Sequence, residues 1–348
     1  MDYEGLNPVF PLTNAHVMTI AGAFWLRKRD TKHALATSEP RLFSVAPKTK
    51  LLGYCCIDPV DKERPTLIVV HGLESSSESP DVVNIAEKTI LARMNVVRLN
   101  LRNCGDTMRL SPTLYNAGNS ADILAVVKEL REHDGLRNIF VVGYSLGGNI
   151  VVKLVGELGT DAAKYISGVC AISPAIDLAA CVDVMNRGFN RIYAQRFLIS
   201  LKAKIRKKHK IQMSIPLEPL KRVKTVRAFD DLYTAPDAGF KDAAEYYEKS
   251  SAIKLLDKIA VPCLIITAKD DPLVPFSQFE GDALKNNSNI TLLAPSYGGH
   301  AGFINRNKHE DAHHALDAGI VLDRFWAENR VLQFCDLIHR GRYGAHNI

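Results

Sequence analysis

The chain has no C-x-x-C pair and no zinc-ribbon spacing among its seven cysteines, Cys55, Cys56, Cys104, Cys170, Cys181, Cys263 and Cys335. Their odd number argues against a disulfide framework. Several lie in apolar runs, as at Cys170 and Cys263, which points to free buried thiols in a reducing, cytoplasmic compartment. A basic n-region is missing too: Asp2 and Glu4 stand at the start, so no cleaved signal peptide is expected. The longest apolar run near the N-terminus, Val17 to Leu26, is too short to span a bilayer. It ends in Arg27-Lys28-Arg29 and reads as a docked N-terminal segment, with a place in a membrane interface as the alternative. The charge imbalance is slight, +6, and no nucleic-acid-binding motif accompanies it, so nucleic acid is not expected as a partner. Internal repeats are absent as well.

What is there suffices for one large core. The 348 residues are 47% hydrophobic and 24% charged, which fits a single globular domain, with or without an insertion, and excludes wholesale disorder. Arg41–Val45 and Leu51–Ile57 read as an antiparallel pair turning at Pro47-Lys48. Thr66–Val70 and Asn95–Leu101 are apolar, β-branched runs of the kind buried on both faces of a sheet. Pro80–Met94 reads as a helix, Arg102–Gly118 as a long loop of the kind that carries function, and Asn119–His133 as a helix. In the last of these, Ile123, Val126, Val127 and Leu130 fall at helical spacing. Further strands are expected at Asn138–Val142, Gly168–Ser173, Val261–Ala268 and Ile290–Ala294, and a final helix from about Ala312 to Glu328. The alternation predicts an α/β fold with a mostly parallel sheet, helices on both faces and right-handed crossovers. Between Asp177 and Ser251 the pattern breaks into a helical stretch rich in Tyr, Arg and Lys. It is read as a lid inserted within one domain that spans residues 1–348.

The strand at 138–142 runs straight into Gly143-Tyr144-Ser145-Leu146-Gly147 and out into a helical pattern. A serine on so tight a strand-to-helix turn needs glycines where side chains would collide, and its hydroxyl stands clear of the sheet. The following helix aims its N-terminus at the same point, which favours negative charge there. Ser145 is therefore the candidate nucleophile, and it needs a base oriented by a carboxylate in the order Ser, acid, His. After the strand at 261–268 comes Lys269-Asp270-Asp271-Pro272. Asp271, immediately before the turn that Pro272 fixes, is the candidate acid; Asp270 and Asp177 remain alternatives. After the strand at 290–294 a glycine-rich loop carries His300, the candidate base. The backbone N–H groups of Leu73, after His71-Gly72, and of Leu146 are the candidate oxyanion donors, with His71 itself read as a structural hydrogen-bonder.

These residues resemble the YheT-like α/β-hydrolases, a family that includes the ABHD-type lipases and fungal ethanol acyltransferases. The resemblance covers nearly the whole chain. It runs from Asn14-Ala15-His16-Val17-Met18-Thr19-Ile20, where Ala15 replaces a proline, through His71-Gly72-Leu73-Glu74 and Asn100-Leu101-Arg102-Asn103-Cys104-Gly105. It continues through the Ser145 turn, Phe229-Asp230-Asp231, Thr234-Ala235-Pro236, Gly239-Phe240, Tyr246-Tyr247 and Gly299-His300-Ala301-Gly302-Phe303. Asn103 stands where many relatives have glycine. The resemblance implies an α/β-hydrolase fold and a serine carboxylester hydrolase. It implies acylglycerols or short- to medium-chain esters as substrates, with acyl transfer to an alcohol as the alternative. It also implies that the acid is the second Asp of Asp-Asp-Pro, Asp271. No cofactor or metal is called for, and a non-catalytic scaffold is the reading from another class.

Three other signals compete. His309-Glu310-Asp311-Ala312-His313 has the H-E-x-x-H pattern, but an acidic helix start explains it without zinc. Lys202–Lys210 holds six basic residues in nine, either a solvated helix face or a contact with an anionic membrane surface. Tyr233, Phe240, Tyr246 and Tyr247 either line an acyl pocket or pack the insertion's core.

Overall fold

The structure is a computed structural model that describes residues 5–24, 36–306 and 322–341. Its eight strands are β1 (Glu39–Ala46), β2 (Thr49–Cys56), β3 (Thr66–Val70), β4 (Asn95–Leu99), β5 (Ile139–Tyr144), β6 (Gly168–Ile172), β7 (Cys263–Ile266) and β8 (Ile290–Leu293). They form one sheet in the order β1-β2-β4-β3-β5-β6-β7-β8. β1 and β2 make an antiparallel hairpin whose turn places Lys48 at φ 58°, and β2 is antiparallel to β4. From β4 to β8 every pairing is parallel.

Helices among the described residues include α1 (Ala15–Phe24), α2 (Pro80–Leu91), α3 (Ser120–Glu132), α4 (Leu146–Leu158), α5 (Leu178–Met185), α6 (Arg191–Ile211), α7 (Val226–Phe229), α8 (Ala243–Ser250) and α9 (Trp326–His339). Because strand side chains alternate between faces, the continuous apolar runs feed two cores. Ile68, Val70, Val141 and Ile265 pack with α3 and α4 on one face; Leu67, Val69, Val142 and Leu264 pack with α2 and α9 on the other. The four residues that mark α3 at helical spacing are fully buried. Burial of each such side chain contributes about 1.5–3 kcal/mol, so the sheet is held from both sides.

One expectation changes where the described residues reach it. A helix runs over Trp326–His339; residues 322–325 before it are not helical, and residues 312–321 of the expected Ala312–Glu328 helix lie outside the described residues. Val331, Leu332, Phe334 and Cys335 face the sheet there and draw the helix onto it, whereas the acidic start at 309–311 lies outside the described residues. The same holds for the whole H-E-x-x-H pattern and for Arg27-Lys28-Arg29. Among the described residues, no helix is long and apolar enough to cross a membrane. The segment from 178 to 250 has helices and no strands: α5, the long α6, and α7 running into a π-helical turn at Asp230–Thr234, then α8.

Candidate active site

The parallel strands bring their C-terminal ends together, the edge at which ligands bind in open α/β sheets. β5 ends at Tyr144 and α4 begins at Leu146, leaving Ser145 alone in the turn at φ 51°, ψ −114°. A non-glycine residue in this region costs on the order of 1–3 kcal/mol and persists only when its surroundings over-determine it. Here they do. A Cβ on Gly143 would lie 2.2 Å from the carbonyl oxygen of Gly147, and one on Gly147 would lie 2.5 Å from those of Val70 and His71. The two glycines let the helix press onto the strand, and Ser145 N–H donates to Ile172 O at 2.9 Å.

His300 reaches the same point from the loop after β8. Its Nε2 lies 3.0 Å from Ser145 Oγ, and its Nδ1 lies 2.9 Å from Oδ2 and 3.2 Å from Oδ1 of Asp271. An ionised carboxylate only accepts, so Nδ1 carries the proton and Nε2 is left to accept from the serine hydroxyl. Asp271 Oδ1 also takes the N–H groups of Leu273 at 2.8 Å and Val274 at 3.0 Å, the turn that Pro272 begins. The alternatives are occupied elsewhere. Asp270 accepts Gly299 N–H at 2.9 Å, and burial pushes its carboxyl pKa up. Asp177 caps α5 by accepting Ala180 N–H at 3.1 Å.

Leu146 is the first residue of α4, where an N–H has no partner within its own helix. Leu73 lines the same cavity as Leu146 and Ser145. The loop before it is fastened by His71, whose Nε2 accepts Leu101 N–H at 3.1 Å, so that Nδ1–H donates to Gly72 O at 2.8 Å. Burial lowers the His71 pKa to about 4, which keeps it neutral and outside proton transfer.

Glu74, which follows Leu73, was named in the sequence only as part of a motif; the structure makes it a hub. Its backbone is left-handed at φ 52°, and its carboxylate meets Lys204 Nζ at 2.7 Å, the Tyr115 hydroxyl at 2.8 Å and the Ser200 hydroxyl. Lys204 and Ser200 belong to α6, so this carboxylate ties the long helix to the loop beside Ser145. The basic stretch at 202–210 is thereby divided. Lys204 and Lys208 turn inward, Lys208 donating to Met108 O at 2.8 Å, while Arg206, Lys207 and Lys210 remain exposed. Asn103 also finds its reason: at φ 60° it occupies the left-handed region that glycine adopts freely and asparagine tolerates, and its Nδ2 donates to Thr113 O at 3.1 Å.

Ser145 and His300 open onto two cavities. One, of about 90 Å³, is walled mainly by apolar side chains, among them Leu114 of the long loop, Leu178 and Val182 of α5, and Leu201 and Ile205 of α6. Tyr246 and Tyr247 line it; Tyr233 and Phe240 do not, Tyr233 stacking on Phe229 and Phe240 packing at a tilt against Tyr246. Asp230, in the π-helical turn, also lines it and accepts from the Tyr247 hydroxyl at 2.6 Å. Burial raises the Asp230 carboxyl pKa to about 6, against the pull of hydrogen bonds from Tyr247 and Thr234. The other cavity, of about 340 Å³, is more polar and runs between α1, Ser75, Ser79 and α6.

Comparison with known proteins agrees with this architecture. Residues 65–306 match the family model of the α/β-hydrolase fold. The chain is 34% identical to YheT of Escherichia coli over 247 residues, 70% of this chain and 72% of that one. It is 30% identical to the monoacylglycerol lipase of Saccharomyces cerevisiae over 295 residues, 80% of this chain and 64% of that one. Among solved structures, an esterase of Pyrococcus furiosus superposes with a TM-score of 0.56 at 17% identity, over 89% of this chain and 96% of that one, a likeness of fold. The chain belongs to the α/β-hydrolase family, within its group of YheT-like and ABHD-type esterases and lipases.

Proposed function

We propose that the protein is a serine carboxylester hydrolase acting on monoacylglycerols or other short- to medium-chain acyl esters. The observation that carries this reading is the hydrogen-bonded line Ser145–His300–Asp271 at the floor of an apolar cavity. His300 Nε2 takes the proton of Ser145 as Oγ attacks the ester carbonyl, and Asp271 stays ionised to hold the imidazole and stabilise its charged form. The N–H groups of Leu73 and Leu146 receive the oxyanion. His300 then protonates the leaving alcohol, and a water that it activates releases the acid from the acyl-enzyme. The apolar cavity suits the acyl chain, and the helical segment 177–251 acts as the lid over it.

A second reading has one observation in its favour. The wider, more polar cavity also meets Ser145 and His300, which offers room for an alcohol in place of water. Acyl transfer would then use the same three side chains.

Turnover of a nitrophenyl ester series and of monoacylglycerol by wild type and by Ser145→Ala tests the main reading. The variant is expected to lose on the order of 10⁴-fold or more in kcat, because such residues act as a unit; turnover kept by Ser145→Ala sinks it. Addition of glycerol or ethanol during turnover, followed by analysis of the products, separates hydrolysis from transfer.

A further inference from the structure

Three consecutive backbone N–H groups hold the His300 loop, and each donates to a side-chain oxygen from a different part of the chain. Gly299 N–H goes to Asp270 at 2.9 Å, Ala301 N–H to Ser173 Oγ at 3.1 Å, and His300 N–H to Thr19 Oγ1 at 2.8 Å. The backbone on either side is left-handed, with Gly299 at φ 55° and Ala301 at φ 59°, so no regular structure sets the direction in which His300 leaves it. These side-chain oxygens therefore set it. Asp270 and Ser173 sit at the ends of neighbouring strands. Thr19 comes from α1, which lies outside the residues that match the family model.

The fit of α1 against this loop is close. A Cβ on Gly22 would stand 2.6 Å from Gly302 Cα, one on Gly302 would stand 2.6 Å from Met18 O, and one on Gly299 would stand 2.6 Å from Ala15 O. Met18 is fully buried with Ile304 and Phe325 and anchors the helix. Within α1, the Thr19 hydroxyl donates to Ala15 O at 2.7 Å, which turns its lone pairs toward His300 N–H. The same helix meets the start of α6 and the turn before it, where the His16 ring lies 4.5 Å from that of Phe189 and its Nδ1 lies 3.2 Å from the Tyr193 hydroxyl.

We propose that Thr19 is a positioning residue for His300: its hydroxyl fixes the His300 backbone and, through it, the place of the imidazole between Ser145 and Asp271. This rests on the serine-hydrolase reading above. A base displaced by a fraction of an ångström loses catalysis well before it loses binding, because general-base transfer needs hydrogen-bond geometry. Thr19→Val keeps the shape and removes the oxygen; Thr19→Ser keeps the oxygen. Gly22→Ala keeps Thr19 and pushes the helix off Gly302.

The test measures kcat and KM for a nitrophenyl ester, and the rate at which a fluorophosphonate labels Ser145, in the wild type and these three variants. Thr19→Val is expected to lower kcat and the labelling rate by about tenfold or more with KM within about twofold, since positioning acts on the chemical step. Thr19→Ser should return most of that loss, and Gly22→Ala should repeat the pattern of valine. Wild-type kcat in Thr19→Val, or a serine variant as impaired as the valine one, overturns the proposal. Where valine unfolds the chain, Gly22→Ala carries the same split, and an unchanged kcat there overturns it equally. Wild-type protein that turns over no ester and takes no label fails the underlying reading instead, and that result is visible before any variant is made.

Discussion

At the scale of single residues, the site is surrounded by backbone held in unusual conformations. Ser145, Glu74, Asn103, Ser173 and Ala301 all have positive φ, and each is pinned by a hydrogen bond or a close approach. Two buried titratable groups near them pull stability in opposite directions with pH. Asp230 has its pKa raised by burial from 3.8 to about 6, so its contribution is fully present below the lower value and is lost as pH rises through the upper one. His71 has its pKa lowered by burial from 6.5 to about 4, so its contribution is present above 6.5 and is lost as pH falls toward 4. Across that window the two offset each other. Asp230→Asn removes one side. Its stability relative to wild type should be greater at about pH 7.5 than at about pH 5, by about 1 kcal/mol, as read by urea unfolding at both pH values. An equal difference at both would show that Asp230 is ionised throughout. Ser145, Asp271 and His300, which lie within hydrogen-bond reach of one another, were candidates from residue order, glycine context, the turn at Pro272 and the family resemblance. Asp230 was legible only as part of a motif, because nothing in a single sequence says which motif residues face a cavity.

At the scale of elements, α6 is joined to the loop after β3 by one buried ion pair. The Glu74 carboxylate and Lys204 ammonium are largely shielded from water, and removal of one partner leaves the other charged and desolvated. Lys204→Met should therefore cost about 3 kcal/mol or more, and the double variant Glu74→Gln/Lys204→Met should recover a large part of it. A double-mutant cycle by urea unfolding checks this; additive effects would mean that the pair does not couple the helix to the loop. The six basic residues at 202–210 of this helix read from the sequence as one solvated or membrane-facing patch. That reading failed for Lys204 and Lys208 because their partners, Glu74 and the carbonyl of Met108, are about a hundred positions away or more. The helices and strands themselves were legible where periodicity is strong, as in α3. The helix at Trp326–His339 was expected only in its first turn, because the interruption at 322–325 is set by contacts with the rest of the fold and has no breaker residue to mark it.

At the scale of the whole molecule, a parallel sheet covered on both faces turns four separate sequence positions into one site. Leu73 follows β3, Ser145 follows β5, Asp271 follows β7 and His300 follows β8, all at the same edge. Burial on both faces makes strands readable as continuous apolar runs, and the α/β class follows from their alternation with helices. Contacts that close the fold over long separations were not readable. Thr19 and His300 are 281 positions apart, and no local pattern links them. This geometry is expected to yield an activated serine. The most direct measurement is covalent labelling of the full chain by a fluorophosphonate probe, in wild type, in Ser145→Ala and in the presence of a chelator. Labelling is expected to require Ser145 and to ignore the chelator. A folded wild-type protein that takes no label, or a Ser145→Ala variant that still labels, would contradict it.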